Sequence, residues 1–207
     1  MGHSPKKGAF FMSKFSELYL SSNIRVGFAD GTTWLLSDSK PQNPETLPNE
    51  TTFVITACNP KSQEATLQQN HLNTLALEDD LIKNGLEYHI GWGTSEDNLH
   101  AELSFCVPVR EPEALDATLY LIRELAIKFE QNAIFEISET EVKLIPCLDP
   151  TAIGAITKYA TRLEETQESF KSKLGILRWA AEADPRDFAE LDRFIINHQP
   201  PFDDYDL

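Results

Sequence analysis

Only a short polar loop, "TSEDN" at 94–98 followed by Leu99, separates two strand-like runs, "LEYHIGWG" at 86–93 and "HAELSFCVPV" at 100–109. Parallel neighbours need a crossover of about a dozen residues or more, so these two runs must pair antiparallel. The segments on either side then have little freedom. "TTFVITA" at 51–57 reads as a buried strand. From about Ser62 to Asn84 the chain is polar with Leu72, Leu75 and Ile82 on one face and Gly85 as a stop, which predicts a helix with that face inward. Leu115, Leu119, Ile122, Ala126 and Phe129 recur at heptad-like spacing between Pro112 and Gln131 and predict a second helix. "NAIFEIS" at 132–138 and "EVKLIPC" at 141–147 close as a strand pair.

Strand, helix, strand, strand, helix, strand is the split pattern βαββαβ of ferredoxin-like folds, so the expected class is α+β with an antiparallel sheet. A doubly wound parallel sheet is the alternative that the short middle loop disfavours. Asp30-Gly31 between two runs of β-formers predicts an N-terminal β-hairpin over 24–36. "SDSKPQNPETLPNE", with Pro41, Pro44 and Pro48, reads as an exposed linker. Residues 1–23 read as an N-terminal arm and 24–149 as the α+β domain. Residues 150–207 show no strand-like alternation and read as a helical extension, with Pro185 opening a helix after Asp184 and "PPFDDYDL" as an acidic tail.

The 33 acidic residues outnumber the 18 basic ones, for a net charge of −15. Such a surface repels nucleic-acid phosphates, so direct nucleic-acid binding is not expected. A local pocket for a small anionic ligand and a basic protein partner both survive that argument. No run approaches the roughly 20 apolar residues of a membrane span, and no signal segment is evident, so a cytoplasmic location is expected. Cys58, Cys106 and Cys147 lack CxxC spacing and lie in or beside apolar runs, which predicts reduced core thiols. His89, His100 and a cysteine have no spacing that supports a metal site. No phosphate loop, GxSxG elbow or HExxH helix is present, so neither a reaction nor a cofactor is assigned.

Thr56, Ala57, Asn59, Pro60 and Ser62 at the end of the first strand, Asn70 in the helix, Ser104-Phe105, and Gln131-Asn132-Ala133 form a pattern. In that order and separation it resembles a bacterial family, domain of unknown function 3293, over about residues 24–147. The resemblance implies no activity, and position 58 is not reserved for cysteine in that family's pattern.

In the expected topology the outgoing ends of the first two strands lie beside the incoming ends of the next two. Thr56, Asn59, Ser62, Trp92, Glu102, Ser104, Gln131 and Asn132 then share one rim, with Asn70 on the adjoining helix. Asn59 or Ser62 would cap that helix, whose N–H groups with Lys61 would seat an anion. Gln131 and Asn132 suit a planar polar group such as a base, and Trp92 between glycines offers a stacking face. Acid-base candidates near the rim are His89, Glu96, Asp97, His100 and Glu102. Taken singly, Asn59-Pro60 is an ordinary turn, Ser62 a cap, Asn132 a helix terminator and Trp92 a plug over the sheet edge. The expected role is recognition of a small polar or anionic, nucleotide-like ligand at this rim. The rival is an acidic protein-interaction or regulatory module, with a nucleic-acid mimic as its variant.

Overall fold

A computed structural model describes residues 21–42, 45–94, 101–148 and 154–164. The hairpin comes first, as β1 (Asn23–Gly27) and β2 (Thr33–Ser37). Gly31 takes φ 83°, and Asp30 Oδ1 accepts from the Thr32 N–H at 2.9 Å. The linker behind it is not wholly exposed: Leu47 is buried, and Glu50 Oε1 accepts from the Ala29 N–H at 2.9 Å. Then follow β3 (Thr51–Thr56), α1 (Leu67–Lys83), β4 (His89–Thr94), β5 (Ala101–Val109), α2 (Leu115–Lys128), β6 (Ala133–Ile137) and β7 (Val142–Pro146). The protein is thus a mixed α/β structure with an antiparallel sheet and two described helices. The brief β4–β5 connection does pair its strands antiparallel.

Two further strands, β8 (Gly154–Ile156) and β9 (Tyr159–Leu163), correct the expectation that this part of 150–207 is helical. Short strands of three and five residues leave too little alternation to detect, and Tyr159 and Thr161 are β-formers on a half-buried surface. The remainder of the expected extension and tail, 165–207, lies outside the described residues, as does the arm up to residue 20.

The sheet order is β8-β7-β6-β3-β5-β4-β1-β2-β9, with every neighbouring pair antiparallel. β8 and β9 therefore stand at opposite ends of the order, yet only Thr157 and Lys158 separate them in the chain. Two residues span less than about 11 Å, so the sheet must curl until its two ends approach one another. Counting reversals along the order, β8 and β9 run in the same direction. Gly154–Leu163 is in effect one bent segment whose first part pairs with β7 and whose second part pairs with β2.

Period-two alternation sorts the side chains between the two faces of this curl. On the convex face Phe53, Ile55, Leu103, Phe105 and Val107 pack under α1 and α2. On the concave face Ile24, Val26, Trp34, Leu36, Val54, Cys106, Ile137, Val142 and Ala160 form a second core. α2 presents Ile122, Ala126 and Phe129 to the convex core, with Leu115 and Leu119 at its edge, as the heptad-like spacing predicted. α1 differs from expectation. It begins at Leu67, and of its expected inner residues Leu75 packs against the convex core while Leu72 and Ile82 are 46% and 55% exposed. The buried face carries Leu77 and Leu81 together with His71, Thr74 and Glu78. Polar residues on the inner face blurred the apolar period: Thr74 Oγ1 donates to the Asn70 carbonyl at 2.8 Å, and Glu78 accepts from the Tyr88 hydroxyl.

Two measurements follow from this packing. A Cβ at Gly91 would lie 2.6 Å from Cys106 Sγ and 2.8 Å from the Arg25 carbonyl, whereas at Gly93 the nearest atom is the Glu102 carbonyl at 3.9 Å. Gly91→Ala should cost about 1–3 kcal/mol in urea unfolding while Gly93→Ala costs little or nothing. Equal effects would contradict the close approach at position 91. Burial pushes the His71 imidazole down from 6.5 to about 4. The folded value is the lower one, so its stabilisation is complete above the unfolded value and is lost as pH falls from there towards 4. About 1–2 kcal/mol should go between pH 7 and pH 5 and should be absent in the difference measured with His71→Leu. An unchanged pH dependence in that variant would exclude His71 as the source.

Candidate functional site

The concave core does not fill the curl to its end. At the rim where β3 and β4 finish and β5 and β6 begin lies a cavity of ≈ 370 Å³. Its lining follows the same alternation across five adjacent strands. β6 and its approach contribute Gln131, Ala133 and Phe135, and β3 contributes Val54 and Thr56. β5 contributes Glu102 and Ser104, β4 contributes Gly93, and β1 with its approach contributes Ser22 and Ile24. The registers agree: Thr56 stands opposite Ser104, Gly93 opposite Glu102, and Ile24 opposite Gly93. The floor is apolar, from Ile24, Val54 and Phe135, and the mouth is polar. The loop after β3 closes one side with Cys58, Asn59, Ser62 and Glu64.

That loop is held in an unusual backbone. Asn59, Lys61 and Ser62 have φ of 48°, 57° and 54°, all in the left-handed region. Asn59 is fixed from several sides. Its N–H donates to Asn70 Oδ1 at 2.8 Å, and its Oδ1 accepts from Asn70 Nδ2 at 3.0 Å and from the Ala65 N–H at 3.1 Å. Its Nδ2 donates to Glu102 Oε1 at 2.7 Å. Both partners demand this amide orientation. Gln131, 5% exposed, donates from Nε2 to the Cys58 carbonyl at 2.9 Å and the Phe129 carbonyl at 3.1 Å. Asn132 Nδ2 donates to Ser62 Oγ at 2.8 Å. The Thr56 hydroxyl donates to the Leu103 carbonyl and accepts from the Cys58 N–H. Ser104, also 5% exposed, turns its side chain to the cavity, and no described residue hydrogen-bonds to its hydroxyl.

Most of the expected rim is therefore brought together: Thr56, Asn59, Ser62, Glu102, Ser104 and Gln131 line one cavity, while Asn70 and Asn132 brace it from behind. Three expectations are corrected. Trp92 is 6% exposed and belongs to the convex core, because it stands opposite Leu103 on the alternation while Gly93 faces the cavity. Neither Asn59 nor Ser62 caps the long helix; Thr66 does, accepting from the Gln69 N–H at 3.2 Å. Lys61 does not line the cavity either, since its ammonium pairs with Glu130 at 2.6 Å. The expected anion seat is thus not assembled. Among the described residues the lining holds two carboxylates, Glu64 and Glu102, and no lysine, arginine or histidine.

Sequence reasoning missed Ser22, Ile24, Val54, Glu64, Gly93, Ala133 and Phe135. A period-two reading outward from Glu102 and Ser104 would have selected Gly93 over Trp92. Ser22 and Ile24 needed the β1–β4 pairing, which no local signal announces. Among the acid-base candidates, His89 does not line the cavity, and Glu96, Asp97 and His100 lie outside the described residues. Cys58 lines it, but burial and then the Glu102 charge push its thiol up to about 12, the reverse of what a nucleophile needs. Cys106 is buried and likewise raised to about 12, and all three cysteines are free. Among the described residues no cluster could hold a metal ion and no helix is long and apolar enough to cross a membrane.

Residues 55–134 match the family described as "Protein of unknown function (DUF3293)", in agreement with the resemblance carried by the Thr56–Ser62 and Gln131–Ala133 motifs. No curated protein matches the chain. Among solved structures, a phage SAM lyase in complex with S-methyl-5'-thioadenosine is similar at 14% identity, covering 58% of this chain and 95% of that one, with a TM-score of 0.23. A likeness at that TM-score carries no inference about fold or ligand.

Asn59 should prove to be a positioning residue. Asn59→Ala removes three side-chain hydrogen bonds, leaves Asn70 and Glu102 short of a partner, and puts a Cβ-only residue at φ 48°. Urea unfolding should show a loss of about 2–4 kcal/mol, well above that of an ordinary cap. A loss under about 1 kcal/mol would mean that the loop holds its shape without this side chain.

Proposed function

We propose that the protein binds a small ligand in the cavity at the rim of its curled sheet, with polar contacts at the mouth and an apolar portion against Ile24, Val54 and Phe135. The observation that carries this reading is the contrast along a single face. Next to a concave core of large buried side chains, the same strands leave ≈ 370 Å³ unfilled where their polar residues converge. Protein interiors are close-packed, and open voids of this size at a polar mouth are the usual form of a small-molecule site, at the small end of the ~300–1,000 Å³ range. Of the polar or anionic ligands expected from sequence, the carboxylates of Glu64 and Glu102 among the described lining residues favour the polar kind. No side chain is assigned a chemical step.

The reading extends to the fold. Support for treating 51–137 as a ferredoxin-like βαββαβ unit is the order β6-β3-β5-β4 with α1 and α2 on one face. The hairpin and Gly154–Leu163 then serve to curl that unit's open face into a cup.

Gly93 supplies the test. A larger side chain there projects into the cavity, and its first atom meets nothing closer than 3.9 Å. Gly93→Leu should therefore fold with a melting temperature within a few degrees of the parent. In a thermal-shift screen of small polar molecules, compounds that stabilise the parent should lose that effect in Gly93→Leu. Stabilisation that persists in Gly93→Leu would place binding elsewhere, and a screen in which nothing stabilises the parent would count against a ligand site.

A further inference from the structure

We infer that the Ser104 hydroxyl orients the ligand of this cavity by hydrogen-bonding to an uncharged polar group, a hydroxyl, carbonyl or amide, carried on an apolar body; the inference rests on the ligand-binding reading above. Two hydroxyl residues, Thr56 and Ser104, stand opposite one another in the β3–β5 pairing, both line the cavity, and the protein uses them differently. Thr56 Oγ1 is spent within the fold, donating to the Leu103 carbonyl at 2.9 Å and accepting from the Cys58 N–H at 3.1 Å. Ser104 is as deeply buried as the core around it, yet no described residue hydrogen-bonds to its hydroxyl. Buried polar side chains are as a rule paired, and one that is not calls for a reason. Packing supplies none, since alanine would sit at the same place in the wall without a polar atom to satisfy. The direction left open to the hydroxyl is the cavity.

The place of Ser104 along its strand says which part of a ligand it meets. β5 turns Glu102, Ser104 and Cys106 in succession to the concave face, from the half-buried mouth to the fully buried core. Ser104 is the middle of the three. Thr56 of β3 flanks it on one side, and on the other stands Gly91 of β4, which has no side chain to cover it. The apolar Val54 and Phe135 face each other across β3 and β6 one step further along. A molecule resting its apolar portion against Val54 and Phe135 therefore brings its adjoining atoms to Ser104. A serine hydroxyl rotates, donates once and accepts, so it matches a single hydroxyl, carbonyl or amide. A hydrocarbon in the same place displaces solvent from the hydroxyl and returns no hydrogen bond.

Two measurements on the full chain test this. In urea unfolding without ligand, Ser104→Ala should leave the midpoint unchanged or raise it, whereas Thr56→Val, which removes two hydrogen bonds, should lower it. A fall in Ser104→Ala as large as that in Thr56→Val would make the Ser104 hydroxyl a structural group and overturn the inference. For binding, benzyl alcohol and ethylbenzene have nearly the same shape and differ by a hydroxyl in place of a methyl. Each is titrated into the parent, Ser104→Ala and Gly93→Leu, with the backbone amide shifts of Gly93 and Phe105 as the readout. Ser104→Ala should weaken benzyl alcohol about tenfold and leave ethylbenzene unchanged or tighter, and Gly93→Leu should abolish binding. Benzyl alcohol binding unchanged in Ser104→Ala, or both probes weakened alike, would overturn the role of Ser104 while leaving the cavity standing, provided that Gly93→Leu abolishes binding. Binding that survives Gly93→Leu, or no binding of either probe, would overturn both.

Discussion

Thr157 and Lys158 tie together the two ends of the sheet. Because Gly154–Leu163 pairs with β7 at one end and with β2 at the other, the nine-strand order has to bend back on itself. A flat antiparallel sheet with helices on one face would leave Ile24, Val54, Phe135 and Ile137 in water. The curl gives them one another instead, and the second core exists only because of it. It also removes the edge that β2 and β7 would otherwise present to other chains, the problem that barrels solve by closure. The cavity is the part of this enclosed space that side chains do not reach.

Which residues meet there is then a matter of parity. Gly91 and Gly93 both point to the concave face, but for different reasons. Position 91 has no room for a Cβ, with Cys106 Sγ and the Arg25 carbonyl pressed against it, whereas position 93 has room and leaves it empty. Glycine in a strand costs stability, and at 91 close packing explains the cost. At 93 packing does not explain it, and the vacancy is continuous with the cavity. Glu102 lies directly opposite Gly93, so the absence of a side chain on β4 uncovers the carboxylate on β5.

Much of the central architecture was legible in the sequence, and the legible parts share a physical cause. The Asp30-Gly31 turn, the heptad-like stripe of α2 and the short β4–β5 loop are local constraints, written in consecutive residues. The convergence of Thr56, Asn59, Glu102, Ser104 and Gln131 followed from topology alone, once the order of elements was fixed. What escaped were features that no local window contains. The inner face of α1 mixes His71, Thr74 and Glu78 with Leu77 and Leu81, so the apolar residues alone place Leu75 correctly but turn Leu72 and Ile82 inward where they are exposed. The pairing of β1 with β4 and of β9 with β2 joins distant segments, and without it the concave face reads as a surface.

The loop after β3 is more tightly specified than its role as a connection requires. Three non-glycine residues, Asn59, Lys61 and Ser62, hold left-handed backbone, each at a cost of order 1 kcal/mol or more, though asparagine bears it best. Such a conformation persists only where its surroundings over-determine it, and here they do: Asn70 grips Asn59 through two bonds, Asn132 holds Ser62, and the Lys61 N–H donates to the Glu130 carbonyl at 2.6 Å. A simple connection from β3 to α1 requires none of this, since the helix is capped independently by Thr66. The arrangement does accomplish one thing that a relaxed turn would not. It places the Asn59 amide against Glu102 and folds Cys58, Asn59 and Ser62 over the cavity as a fixed wall.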